Sequence, residues 1–171
     1  MVYNSWITMQ AQGETDPDIC RYNDLALVRI HPDDRAKVNP SIPHWGGPVG
    51  ISTGTAVGQL VYSYGNSSLR LGLTQLSPKT GVSLGDSGGG WSHTVYTVTP
   101  GIPGDSGSAF LDARGRALGV LSTVGLLPVP ASNGVGNLAR ELDYMRANDG
   151  PQASLALGTE PFTPNKLPLG L

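Results

Sequence analysis

The stretch that most constrains the fold is Gly101-Ile102-Pro103-Gly104-Asp105-Ser106-Gly107-Ser108-Ala109-Phe110. Its glycines and proline make a turn that lifts one serine out of an otherwise apolar neighbourhood. Ala109-Phe110-Leu111 follows, then a polar turn at Asp112-Ala113-Arg114-Gly115, then Ala117-Leu118-Gly119-Val120-Leu121. Two short apolar runs either side of a Gly-ended polar turn predict a β-hairpin.

The rest of the chain is punctuated in the same way. With 24 glycines, 14 prolines and only 14 % charged residues, the composition fits many short strands and tight turns and not a helical bundle. A net charge of -2 without a basic or acidic block argues against a nucleic-acid surface or a polybasic membrane patch. No apolar run reaches the roughly 20 residues needed to cross a bilayer. The longest, from Ala117 to Ala131, is broken by Ser122, Thr123, Pro128 and Pro130. Met1 to Ile7 has neither the charged nor the apolar region of a signal peptide. Cys20 is the only cysteine, either a lone buried thiol or half of a disulfide whose partner lies outside the chain.

Along the chain, residues 2–11 alternate, with Tyr3, Ile7, Met9 and Ala11 on one face, and predict a half-buried strand. Residues 13–23 are polar and read as a loop. Asp24-Leu25-Ala26-Leu27-Val28-Arg29-Ile30 predicts a strand buried on both faces. Residues 31–49, with three prolines and Gly46-Gly47-Pro48, read as a linker. Strands are expected over 56–64, 69–76 and 93–99, and loops over 77–92 and 128–136. One helix is expected over 137–148, where Leu138, Leu142 and Met145 form a stripe ended by Gly150-Pro151. Residues 151–171 read as an extended tail on the surface.

Two segments together carry a resemblance. Asn23-Asp24-Leu25-Ala26-Leu27-Val28 resembles the aspartate strand of chymotrypsin/trypsin-like serine proteases of the bacterial secreted type, and Gly104-Asp105-Ser106-Gly107-Ser108 resembles their nucleophile loop. Their order, spacing and the helix after the last strands are similar too, over roughly residues 1–148. The resemblance implies an all-β, chymotrypsin-like double β-barrel with an incomplete first barrel and one C-terminal helix. Residues 1–45 would be the remnant of the first barrel with a linker, 46–148 the second barrel and helix, and 149–171 the tail. It implies a secreted serine endopeptidase acting on peptide or protein substrates, with no cofactor and no metal.

The implied roles are chemically specific. A serine hydroxyl is a poor nucleophile at neutral pH and needs a base, which a buried aspartate holds in the right tautomer. By resemblance Ser106 is the nucleophile and Asp24 the orienting carboxylate, and the N–H groups of Gly104 and Ser106 form the oxyanion hole. Asp105 is the buried aspartate that braces the turn by pairing with a cation. Pro100, six residues before Ser106, falls at the base of the primary specificity pocket and is not acidic, so a Lys or Arg preference is not supported. Ser122, Thr123 and Val124 fall on the edge strand that pairs with a bound peptide. A neutral or apolar preference is expected.

The base is the missing piece. Residues 1–23 hold no histidine, and His31 lies seven residues past Asp24, about 23 Å along a strand. His31, His44 and His93 each read as ordinary surface or loop histidines, and none is assigned as catalytic. The expectation is that the front of the protease is absent from the chain: the histidine, some four strands and a cysteine for Cys20. Activity of the chain as written would then be very weak or nil. Four alternatives stay open. Gly85-Asp86-Ser87-Gly88 repeats the serine motif, so one copy is only a loop. Asp24 is also a plausible strand-start cap. The chain as a whole could be a non-enzymatic, protease-like scaffold that binds a protein partner, or a structural β-protein whose two motifs are coincidental turns.

Overall fold

A computed structural model of the chain describes residues 1–124 and 131–165. Its centre is a closed barrel of six antiparallel strands: β3 (Leu60–Tyr64), β4 (Pro78–Ser87), β5 (Ser92–Thr97), β6 (Ala109–Asp112), β7 (Ala117–Val124) and β8 (Asn133–Gly136). Around the barrel the order is β3-β4-β5-β8-β7-β6, and β6 returns to β3. A separate two-stranded sheet pairs β1 (Tyr3–Asn4) with β2 (Ala26–Leu27). The fold is mostly β, as expected.

The hairpin after the serine turn forms where the sequence places it. Asp112 Oδ1 accepts the Arg114 and Arg116 N–H groups, both at 2.9 Å, and Gly115 takes a positive φ that closes the turn. The Arg116 guanidinium pairs with the other carboxylate oxygen at 2.7 Å. Burial disfavours the Asp112 charge, but these N–H donors outweigh it and hold its pKa below the ordinary value. Val61, Val95, Phe110, Leu118, Leu121 and Val135 fill the main core. On the opposite face of β3 and β6, Tyr62 and Leu111 pack with Trp45 and Ala117. Trp45 is fully buried and donates its indole N–H to the Ser63 carbonyl at 2.7 Å.

The expected helix is α3 (Leu138–Ala147), with Asn137 and Asn148 as its caps. Leu142 and Met145 are buried on the side that meets Tyr3 and Leu25, so this stripe anchors the β1–β2 ribbon. The tail also follows expectation up to residue 165. It has no regular structure and is strapped to 39–48 through Glu160 N–H to Ser41 Oγ, Gly47 N–H to Glu160 O and Thr163 N–H to Trp45 O. Phe162 caps this strap against the Tyr62 ring at 5.3 Å.

Elsewhere the structure corrects the sequence reading. Residues 2–11 are not one strand: after Asn4 the chain turns into α1 (Ser5–Gln12), because the Asn4 side chain accepts the Ile7 N–H and caps a helix. Ser5 and Met9, four apart, are its buried side, and Ile7 is exposed. Residues 13–23 contain α2 (Pro17–Tyr22), capped by Asp16 with proline in its first turn. There are thus three α-helices among the described residues rather than one. The run 24–30 is a strand only at 26–27, and Val28 and Ile30 are exposed. Residues 69–76 form two 3-10 turns, Ser68–Arg70 and Thr74–Leu76, not a strand. The expected loop 77–92 holds β4, whose Gly and Ser positions are carried by ladders on both sides and a bulge between Ser83 and Gly85. The loop expected over 128–136 holds β8, while 125–130 fall outside the described residues. The linker reading of 31–49 gives way to a 3-10 turn at Pro32–Lys37 and a packed segment around Trp45.

Candidate active site

Ser106 sits on the turn that enters β6, exposed, and its hydroxyl makes no hydrogen bond among the described residues. The turn is fixed by its own backbone and by the barrel. Asp105 N–H donates to Ile102 O at 2.9 Å and Ser108 N–H to Asp105 O at 3.0 Å, while Gly107 N–H reaches Leu121 O at 2.8 Å. Gly101 N–H donates to the buried Asn133 side chain at 2.9 Å. Gly104 has φ +93°, and a Cβ there would stand 2.9 Å from Ser67 Oγ, so the position needs glycine twice over. The N–H groups of Gly104 and Ser106 find no acceptor among the described residues, while those of 105, 107 and 108 are all spent. Two exposed, unspent amides flanking Asp105 are therefore available to an incoming oxyanion or carbonyl.

Asp105 is fully buried beneath the turn. One carboxylate oxygen accepts the Ser67 N–H at 3.0 Å. The other receives the Arg70 guanidinium and, at 3.1 Å, the Lys79 ammonium. Both cations are themselves buried, and both also donate to the Pro100 carbonyl, Lys79 at 3.1 Å and Arg70 at 3.3 Å. Burial opposes the Asp105 charge, but the Arg70 and Lys79 hydrogen bonds prevail and hold its pKa below the ordinary carboxylate value. Burial lowers the Lys79 pKa in turn, with Asp105 pulling the other way. Pro100 thus turns its carbonyl toward two cations.

On the far side of the turn, β7 pairs with β8 through Leu121–Val135, Thr123–Gly134 and Val124–Asn133. Its ladder with β6 ends at Ala109–Val120. Ser122 is half-buried, Thr123 is exposed, and their segment has one edge unpaired among the described residues. Of Val124 only the backbone is described.

Asp24 lies apart, in the N-terminal element. Its backbone N–H donates to Glu141 Oε1 of α3 at 3.2 Å. Asp24 is exposed, not buried as the orienting carboxylate of the resemblance would be; its carboxylate accepts no hydrogen bond among the described residues, and partial desolvation raises its pKa. No hydrogen bond or ion pair joins Asp24 to Ser106. Next to Asp24 both polar atoms of the Asn23 amide, and the Oε2 of Glu141, are buried without a hydrogen bond. Burial, and then the Asp24 charge, push Glu141 up to about 7, against the pull of the Asp24 N–H. Cys20 is a free thiol, half-buried, its Sγ 3.6 Å from the Glu14 carbonyl.

The histidines separate clearly. His31 is exposed and caps the 3-10 turn at Pro32–Lys37. His44 stacks edge-on against Trp45. His93, expected on the surface, is fully buried in β5, with Nδ1 2.7 Å from Asp86 Oδ1. That pair was hidden because residues seven apart meet only through the β4–β5 register, which sets Asp86 opposite His93. The second Gly-Asp-Ser-Gly motif is thus the end of a strand whose aspartate holds a histidine. The Nε2 of His93 is buried and makes no hydrogen bond with a serine hydroxyl among the described residues. Neither Arg70 nor Lys79 stood out in the sequence as the partner of Asp105.

No family model matches the chain, and no curated protein is significantly similar to it.

Proposed function

We propose that the chain carries the nucleophile half of a trypsin-like serine endopeptidase. The closed barrel is its second barrel, and the β1–β2 ribbon belongs to the first barrel of a chymotrypsin-like double barrel. The observation that carries the reading is the Ser106 turn: an exposed serine, two unspent amides at Gly104 and Ser106, and a buried aspartate braced from below by Arg70 and Lys79. Ser106 Oγ attacks the scissile carbonyl, and the two amides hold the oxyanion. The base takes the serine proton and gives it to the amine that leaves as the peptide C–N bond breaks. Water, deprotonated by the same base, then hydrolyses the acyl-enzyme and frees Ser106. The substrate backbone adds as a strand to the unpaired edge of Ser122–Val124.

The base is a histidine from polypeptide outside these residues, oriented by Asp24. What supports this is that Asp24 is exposed and its carboxylate accepts no hydrogen bond among the described residues. Alone, the chain would retain only a small residue of catalysis, because loss of a triad member leaves roughly 10³–10⁴-fold over water.

Labelling with a fluorophosphonate tests the reading. The chain as written should label weakly or not at all. A chain extended by the upstream coding sequence should label at Ser106, and Ser106→Ala should abolish it. Absence of labelling in the extended chain would overturn the peptidase and leave a protein-binding scaffold.

A further inference from the structure

Two buried cations share one carboxylate beneath the Ser106 turn. The acceptors around Lys79 mark it as an ammonium. Its Nζ meets Asp105 Oδ2 at 3.1 Å, Pro100 O at 3.1 Å and Thr99 O at 3.3 Å, three partners for three donors, where a neutral amine has only two to give. Arg70 is charged at any ordinary pH. Asp105 is the one carboxylate within ion-pair distance of either cation among the described residues. The cluster therefore holds one positive charge more than it balances, and a charge kept from water is costly until a counter-charge meets it.

The unmet donors belong to Arg70. Its side chain is 7 % exposed, and its bonds run through Nη2, to the Asp105 carboxylate and to Pro100 O at 3.3 Å. The N–H of Nε is buried without an acceptor, and Nη1 finds none among the described residues. Beside Arg70 lies a recess of about 290 Å³, whose lining includes Asn66, Ser67, Gly72, Thr74 and Ser77. Arg70 is the one charged residue in that lining. The N–H groups of Asn66 and Gly72 are also unspent among the described residues.

We propose that this recess binds a small oxyanion, a carboxylate or a phosphate, which pairs with the unmet N–H groups of Arg70 and cancels the surplus charge. The planar guanidinium fits the paired oxygens of either group. A cation would add to the surplus, and an apolar ligand would leave the Arg70 donors unmet. Ser67 and Arg70 also hold the serine turn, Ser67 Oγ donating to Pro103 O at 2.6 Å and Ser67 N–H to Asp105 at 3.0 Å. An occupied recess thus stiffens the support of that turn. The site stands on its own charge count and does not depend on the peptidase reading.

Thermal unfolding of the chain in sodium phosphate or sodium acetate, against sodium chloride at equal ionic strength and pH, reads this directly. Phosphate and acetate should each raise the melting temperature saturably above the chloride value, by about 3–6 °C at ten times the dissociation constant. N-acetylglutamate amide carries the same carboxylate as an acidic side chain. A similar rise with it supports the site and names an acidic peptide as a source; a rise with phosphate and acetate alone supports it for a free ion. Thr74→Glu, at an exposed position of the lining, supplies a tethered carboxylate. It should raise the melting temperature in chloride and abolish the response to phosphate, whereas Thr74→Gln should do neither. Lys79→Met removes the surplus charge and should weaken phosphate binding about tenfold or more. No rise over chloride in the parent, or a phosphate response that either Thr74→Glu or Lys79→Met leaves intact, would overturn the proposal. Should Lys79→Met fail to fold, the exposed Thr74 variants still decide. Melting reads no chemistry at Ser106, so failed fluorophosphonate labelling leaves this site standing, and the reverse holds too.

Discussion

Glu141 makes the stability of the protein depend on pH in a direction opposite to ordinary acid denaturation. The residue is fully buried on α3, and burial with the Asp24 charge holds its carboxyl at about 7 instead of 4.5. Below pH 4.5 it is neutral in both folded and unfolded chains and costs nothing. As pH rises from 4.5 to 7 the unfolded chain gives up the proton and the folded chain keeps it, so stability falls across this window. At about 1.4 kcal/mol per tenfold change in proton affinity, the full loss is about 3 kcal/mol above pH 7. In a chain of this size that is roughly 6–12 °C in melting temperature. Glu141→Gln keeps an acceptor for the Asp24 N–H and removes the charge. Circular-dichroism melts from pH 4.5 to 8 should therefore slope downward for the parent and stay flat for the variant, which becomes the more stable protein at pH 8. Below about pH 4 both should weaken, since Asp105 and Asp112 lose hydrogen bonds that depend on their charge. Parallel profiles for the two proteins between pH 4.5 and 8 would refute the assignment of Glu141 as an uncompensated buried carboxyl.

Further outcomes follow from other packed groups. Asp105→Asn leaves Arg70 and Lys79 buried without a counter-charge and should cost about 3–5 kcal/mol in urea unfolding, whereas Lys79→Met keeps the Arg70–Asp105 pair and should cost clearly less; equal costs would show that the brace is not the carboxylate. Phe162→Ala should release the tail strap, at a cost of about 1–3 kcal/mol for a partly buried ring. Proteolysis after residue 150 and a red shift of Trp45 emission would report it.

The parts of the fold that were legible in the sequence are those whose signals are local. The hairpin around Asp112–Gly115 is specified by one aspartate accepting two N–H groups and one glycine at positive φ. The α3 helix is specified by two asparagine caps and a stripe at Leu142 and Met145. The Ser106 turn was legible for the same reason, because Gly104 is required within it. What escaped depends on distant partners. β4 has weak strand residues, and only its neighbours β3 and β5 make it a strand. The α1 helix is masked in the sequence because Tyr3, Ile7, Met9 and Ala11 alternate, yet a single side chain, Asn4, decides the matter by capping.

The same division runs through the candidate site. The exposed half, Ser106 with its amides, is written in one turn. The buried half is assembled from Ser67, Arg70 and Lys79, which are at least 26 residues away in sequence and meet Asp105 only because β3, β4 and the 3-10 turns bring them under one loop. A fully buried carboxylate needs such partners to stay charged. Their arrival from two different segments adds to the hydrogen bonds that Ile102, Asp105 and Ser108 make within the turn. Asp24 stands on the opposite footing. Its backbone N–H is tied to Glu141 of α3, and its exposed carboxylate accepts no hydrogen bond among the described residues. The serine turn is thus braced by buried charges from two segments, whereas the Asp24 carboxylate has no such brace among the described residues.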